Sequence, residues 1–343
     1  MLAHPLAAAI VLADTLALVL LAPAVLAALR VVLGWAPERT DAAQLRLEAR
    51  AERASVLTRA AALCLLVGSA CLVVAITTVL PRLVPGAMCG TGVLQAMAGL
   101  GQRALAFRGL AIVLLAGWHL VDRLDQGQPL APLTVVAARG LLLATPFVAL
   151  AVVDTLQALW GVELSQPVDC CAAVYDQVRP GGGDAASPWL ATDHWLAASA
   201  GATVGLVALA TWLRRTARGA TGVSRVLLVL ALGWLPATTF ALVDGLAAYH
   251  YGVLHHHCPW CLFLGEHYAV GYPLFIALAV VFLEALAAAV VTHLGAREPL
   301  VAAAARVRAR AAALRLIVAA VVFWAVAGLP AVVWRLRFGT WMG

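Results

Sequence analysis

The chain has no lysine: all 23 of its Lys-plus-Arg residues are arginine. With so much Ala, Leu and Val, this reads as the coding bias of a GC-rich genome. Charge of either sign is sparse, at 12% of 343 residues, against roughly 25% in a soluble globular domain. There is no Walker loop, no GxGxxG after a strand pattern and no HExxH. Those signatures of nucleotide cradles, dinucleotide turns and helix-borne zinc sites are therefore missing. CxxCH is also absent, so covalent c-type haem is not indicated. The formal charge of +6 sits mostly in connecting loops, which makes it a topology signal and not a nucleic-acid footprint.

What is abundant is apolar sequence, 64% of the chain, in long blocks. The blocks predict an all-α, polytopic membrane helix bundle forming a single integral membrane domain over residues 1–343. Eight spans are expected: Leu6–Leu33, Ala60–Leu80, Ala104–Leu120, Gly140–Val162, Trp195–Leu213, Val226–Tyr249, Leu262–Val290 and Leu316–Val333. The third is short and interrupted by Arg108. The first begins MLAHPLAAAI, with no basic n-region and too long an apolar run for a signal peptide, and is kept as a span. The segments Pro37–Arg59 and Arg297–Arg315 mix Arg with Ala, Leu and Val and predict separate short helices along the inner leaflet.

Arginine sets the expected orientation. Only Arg82, Arg103, Arg108, Arg179, Arg335 and Arg337 fall on one side or its flanks; the other seventeen belong to loops 1–2, 3–4, 5–6 and 7–8. That asymmetry places the richer side in the cytoplasm and both termini on the outer, periplasmic side of a bacterial inner membrane.

An internal repeat is suggested. Pro146–Asp154 reads PFVALAVVD and Pro236–Asp244 reads PATTFALVD. Each is followed by a loop with two cysteines, then by an acid, a histidine and an aromatic residue: Asp193-His194-Trp195 and Glu266-His267-Tyr268. The repeat units would be residues 140–213 and 226–293, putting spans four to seven at the functional core.

The stretch that carries chemistry is LHHHCPWCLFL, Leu254–Leu264. Its Cys258 and Cys261 have CxxC spacing, behind His255, His256 and His257, at what the apolar pattern makes the mouth of span seven. A cysteine at a helix N-terminus, beside imidazoles, has a stabilised thiolate. Cys89, Cys170 and Cys171 are expected on the same outer side, where disulfides persist. Structural bridges, redox exchange and metal binding are all open to these five. A CxxC closes so short a loop that it constrains the unfolded chain little. A bridge between the neighbours Cys170 and Cys171 would be strained, so one of them is expected to pair with Cys89 or exchange with Cys258. Cys64 and Cys71 lie within span two and read as small packed hydrophobes.

Asp14, Asp154 and Asp244 lie inside spans one, four and six, toward their outer ends. Intramembrane acids usually face a cavity, a partner or a proton path. Helix–helix hydrogen bonding is the plainer alternative. Glu284 should pair with His293 or an arginine near the inner end of span seven. The histidines, with the cysteines, also form a candidate ligand set for copper, zinc or haem: His255, His256, His257, Cys258, Cys261 and His194.

At Cys258-Pro-Trp-Cys261, followed by Leu-Phe-Leu and a long apolar run, the chain resembles the bacterial vitamin K epoxide reductase family, and in general plan the DsbB-type quinone reductases. The resemblance covers about forty residues, and that family has a four- or five-helix core where this chain has eight spans. It implies a membrane thiol–disulfide oxidoreductase with a quinone as electron acceptor. Loop cysteines Cys89, Cys170 and Cys171 would take electrons from a soluble thioredoxin-like partner. Cys258 would exchange with a loop cysteine and Cys261 would face the quinone. Asp154, Asp244, Asp14, Glu266 and His267 would be the proton-handling groups near it. The alternative expectation is a Cys/His metal- or haem-binding accessory of a respiratory or metal-handling complex.

Overall fold

The computed structural model describes residues 4–39, 41–128, 130–168, 170, 192–216, 220–253 and 256–342. Among these the regular structure is entirely helical. The long helices are α1 (Pro5–Gly34), α2 (Ala42–Val74), α4 (Leu100–Gln126), α5 (Thr134–Trp160), α6 (Thr192–Arg215), α7 (Ala220–Ala241), α9 (Gly271–Arg297) and α10 (Ala302–Phe338). Two short helices complete the order, α3 (Gly90–Ala96) and α8 (Ala247–Tyr251). Eight helical stretches are long and apolar enough to cross a membrane. The protein is thus a multi-pass helical membrane protein, as lipid demands of a backbone that must satisfy its own amides.

Boundaries differ from the sequence expectation in three places. The segments expected as separate surface helices are continuous with their spans. Gln44 N–H bonds to the Asp41 cap at 2.9 Å, and α2 then runs unbroken through the arginine-rich stretch into the apolar one. Ala302 likewise starts a 37-residue α10 that includes Arg306–Arg315. Alanine is the best helix former, and the one proline in each stretch, Pro37 and Pro299, lies ahead of the helix start at Ala42 and Ala302. The third span is not short: α4 has 27 residues and carries Arg108 within it.

The third difference matters most. Span seven does not start at Leu262. A 3-10 turn, Pro259–Phe263, is followed by a second, Gly265–His267, and only then by α9 from Gly271. Tyr268 and Ala269 adopt left-handed backbone (φ 57° and 53°), which no helix can pass through. Two spans also contain a π turn, Ala75–Val79 after α2 and Leu242–Leu246 after α7. Such turns recur at functional positions.

The chain divides into two compact units. Unit 1 comprises Met1–Pro85, Val93–Val168 and Glu298–Ala304 and packs α1, α2, α4 and α5. At its centre Arg108, 2% exposed, is paired with Asp14, which is fully buried. The guanidinium also donates to Thr155 Oγ1 at 2.9 Å and Ser69 Oγ at 3.1 Å. Gly68 permits this: a Cβ there would lie 2.5 Å from Asp14 Oδ1. Arg103 pairs with Asp154 at 2.9 Å.

Unit 2 comprises Gly86–Gly92, Asp169–Arg297 and Ala305–Gly343. Its helices are pinned by short polar contacts in an alanine-rich interior. The indoles of Trp234 and Trp324 both donate to Thr203 Oγ1, at 2.7 and 2.8 Å. Ser199 meets Thr238 at 2.7 Å, and Ser224 meets Thr292 at 2.6 Å. Glu284 joins α9 to α10 through Arg308 at 2.8 Å and Arg315 at 3.2 Å, an arginine pairing of the kind its position suggested.

Candidate functional site

Four cysteines, separated by up to 172 positions in the chain, meet in unit 2. Cys89, Cys170, Cys258 and Cys261 form one buried cluster, with Tyr251, Trp260 and Leu264 packed against it. Cys89 Sγ is 3.2 Å from Cys170 Sγ and 3.3 Å from Cys258 Sγ. Cys261 follows through a thiol hydrogen bond to Cys258. Cys89 also meets Cys261, so Cys89, Cys258 and Cys261 form a triangle of sulfurs, with Cys170 joined to it at Cys89. All four are free thiols in contact, well beyond the ~2.05 Å of a disulfide bond. No disulfide is present among the described residues. Cys171 and His255 lie outside the described residues.

Local sequence explains the convergence. Pro259 opens the 3-10 turn, with Cys258 as its extended cap residue, so the two thiols of the CxxC come to the same side. The turn lies against the start of α9 because residue 271 is glycine; a Cβ there would meet the Phe263 ring at 2.8 Å. At the other approach, a Cβ on Gly92 would be 2.9 Å from Ala87 and 3.2 Å from the Cys170 side chain. Both glycines are there for close approach.

The helix-dipole argument for Cys258 is overturned by this geometry. Cys258 caps a five-residue 3-10 turn, and α9 begins only at Gly271. Its thiolate is stabilised by neighbours instead. The thiols of Cys261 and then Cys89 donate to it, and with the Thr91 hydroxyl at 3.2 Å they lower its pKa to about 3 against the opposing effect of burial. Cys89 is brought to about 7, chiefly by the hydrogen bond from Cys170. The donors Cys170 and Cys261 are pushed up, because each holds its proton in a hydrogen bond to a neighbouring sulfur and is buried.

A pH prediction follows. An ordinary thiol, with a pKa of about 8.5, loses reactivity tenfold per pH unit below that value. Cys258, with its thiolate held by these donors, has a pKa lowered far below that value. Its alkylation by iodoacetamide, followed by peptide mass, should be nearly flat from pH 5 to pH 8. A tenfold fall per unit over that range would contradict the thiol network.

The histidines sit beside the cluster. The Tyr251 ring is edge-on to His256 and His267, with centroids 4.7 and 4.8 Å away. The Tyr251 hydroxyl donates to the Cys258 carbonyl at 2.5 Å. His257 Nδ1 lies 3.6 Å from Asp244 Oδ1, within the π turn that follows α7. Burial and the neighbouring His267 and His257 hold the His256 imidazole neutral, below its usual pKa. His194 and Glu266 are exposed. Asp14 and Asp154 belong to unit 1, each engaged by an arginine.

Sequence reasoning missed Thr91 and Tyr251 as partners of Cys258, and Arg108 and Arg103 as partners of the aspartates. Opposite charges inside spans were the available signal for Asp14 and Arg108. No local pattern marks Thr91. Tyr251→Phe should cost about 1 kcal/mol through the lost hydrogen bond. It should also raise the reactivity of the CxxC turn to thiol reagents, measured as a faster labelling rate of Cys261.

Comparison with known protein families, with curated proteins and with solved structures finds no match to this chain.

Proposed function

We propose that the protein is a membrane thiol–disulfide oxidoreductase whose four clustered sulfurs relay electron pairs to a membrane quinone. The supporting observation is that Cys89 touches Cys170 on one side and the Cys258/Cys261 pair on the other. Exchange needs a thiolate in reach of a disulfide sulfur, and each neighbouring pair here is in reach.

The working form carries a Cys258–Cys261 disulfide and reduced Cys89 and Cys170. The Cys89 thiolate, with a pKa near 7, attacks Cys258 Sγ. The Cys258–Cys261 bond breaks, a Cys89–Cys258 bond forms, and Cys261 leaves as thiolate and takes a proton. Cys170 then gives up its proton and attacks Cys89. Cys258 leaves, and as the sulfur of lowest pKa it is the best leaving group in the cluster. The result is a Cys89–Cys170 disulfide and a Cys258/Cys261 dithiol. The Cys258 thiolate and Cys261 thiol give two electrons to the quinone and restore their disulfide; Cys261 supplies one proton and a neighbouring protonated side chain or water the second, forming quinol. The loop disulfide is reduced by a soluble dithiol of thioredoxin-like type, which is itself oxidised.

The quinone belongs on the Cys261 side. Trp260, Phe263, Tyr272 and Phe275 form an aromatic cluster directly after the CxxC, with ring centroids 5.0 to 5.7 Å apart from Phe263. Flat apolar rings suit a quinone head, which stacks offset on aromatic faces. Asp244, His257 and His267 in unit 2 are the nearby titratable groups for its protons. The arginine asymmetry supports placing this site at the periplasmic face of a bacterial inner membrane, with both termini on that side. The Pro-to-Asp similarity of residues 140–213 and 226–293 supports an ancestral repeat.

The test is the redox state of the cluster in native membranes. Thiols are blocked with a maleimide before and after adding a short-chain quinone, and the peptide spanning Cys258 and Cys261 is weighed. Conversion of dithiol to disulfide on quinone addition is expected; a pair that never changes state would sink the relay.

A second reading rests on a separate observation. The Sγ atoms of Cys89, Cys258 and Cys261 all lie within 4.8 Å of one another, a fit for three-thiolate ligation of a soft ion such as copper(I), or of zinc with a fourth ligand. Metal analysis of purified protein, with labelling that appears only after chelation, would favour it over the relay.

A further inference from the structure

Unit 1 holds a cavity of about 730 Å³, where the C-terminal end of α1 and the N-terminal part of α2 diverge from the C-terminal end of α4 and the start of α5. That volume is within the range of pockets for drug-sized organic molecules, roughly 300–1,000 Å³. We infer that this cavity binds an organic cation with an apolar body, an amine or quaternary ammonium.

The lining decides the class. Glu48, Glu52, Asp122 and Asp125 contribute carboxylates. The one basic side chain in the lining, Arg59, is already spent: it reaches Asp122 at 2.6 Å and Gln126 at 2.5 Å. Asp125 is also committed, accepting from the Leu133 amide and the Thr134 hydroxyl at 2.5 Å each. Glu48, which accepts only from the neutral Gln44 side chain at 3.3 Å, and Glu52, one turn further along α2, line the cavity with no arginine of their own in it. An anion would meet uncompensated acids. A dehydrated metal ion would not fill the volume. A neutral apolar ligand would desolvate carboxylates without return.

The walls fit the rest of such a ligand. Trp35 and Trp118 line the cavity, and indole faces attract cations that have lost water. Ala28, Val31 and Leu141 give an apolar floor for the non-ionic part. This site shares no residue with the sulfur cluster and does not depend on the relay.

The experiment uses the full chain in phosphatidylglycerol nanodiscs, with empty discs subtracted, and two probes of one shape and opposite charge. Tetraphenylphosphonium should bind saturably, one per chain, and tetraphenylborate should not. The variant Glu48→Gln/Glu52→Gln alters two exposed side chains and leaves the core intact; it should bind the phosphonium about tenfold more weakly. Trp35→Phe should reduce the ligand-induced quenching of tryptophan fluorescence. Equal binding of both probes, no saturable phosphonium binding, or unchanged affinity in the double variant would overturn the assignment. Lipid headgroups and free amines share the required chemistry. Competition by added phosphatidylcholine would identify a lipid occupant, and its absence a free amine.

Discussion

Cys89→Ser is expected to stop exchange altogether, a loss of about a hundredfold or more in quinone-linked thiol oxidation. Cys89 is the only described sulfur that touches both the loop cysteine Cys170 and the CxxC cysteine Cys258. A serine oxygen can neither attack a disulfide nor carry one. The companion double variant Cys170→Ser/Cys261→Ser gives the positive signature. With both resolving sulfurs gone, mild oxidation by diamide should accumulate a Cys89–Cys258 bond, seen as linked peptides by mass spectrometry. A relay order in which Cys89 is peripheral would give no such link and would leave Cys89→Ser active. The structural alternative, in which these thiols merely pack, predicts a stability loss without any linked species.

Arg108→Met should be the most damaging single change away from the sulfurs. It leaves a fully buried Asp14 facing an apolar interior, with one carboxylate oxygen already lacking a hydrogen bond. Breaking a buried pair from one side typically costs about 3–5 kcal/mol, whereas removing both charges is often close to neutral. The purified variant should unfold at much lower temperature in detergent, and Asp14→Asn/Arg108→Met should recover most of the loss. Failure of the double variant to recover would mean that Ser69 and Thr155, not Asp14, are the partners that matter.

The eight spans were legible because lipid allows few solutions: a long apolar run has to be helix, and the runs were long. What could not be read was where each helix stopped. The Arg-Ala-Leu stretch Pro37–Arg59 carries enough charge to look like a separate surface element. Its alanines simply extend α2. Leu262–Leu264 looks like the start of span seven by hydropathy, but the left-handed Tyr268 and Ala269 are set by contacts, since neither residue type announces such a backbone. The site divides the same way. The CxxC and the cysteines to be gathered around it stood out by spacing and by residue type. That Cys89 and Thr91 would reach Cys258 depends on packing between segments more than 160 residues apart, which no local pattern encodes, and the Tyr251 contact depends on how the turn between it and Cys258 folds back. Asp14 and Arg108 were each conspicuous alone; only their shared depth in neighbouring helices makes them a pair.

The uninterrupted run of α2 has a mechanical consequence. Its 33 residues make a rod of about 50 Å at 1.5 Å per residue, longer than the ~30 Å hydrocarbon layer. A rod with no internal proline cannot absorb a change in bilayer thickness by folding over at a joint; it must tilt. Glu48 and Glu52 ride on the charged N-terminal part of that rod, so a tilt forced by acyl-chain length would change how far they stand from Trp118 in the same cavity.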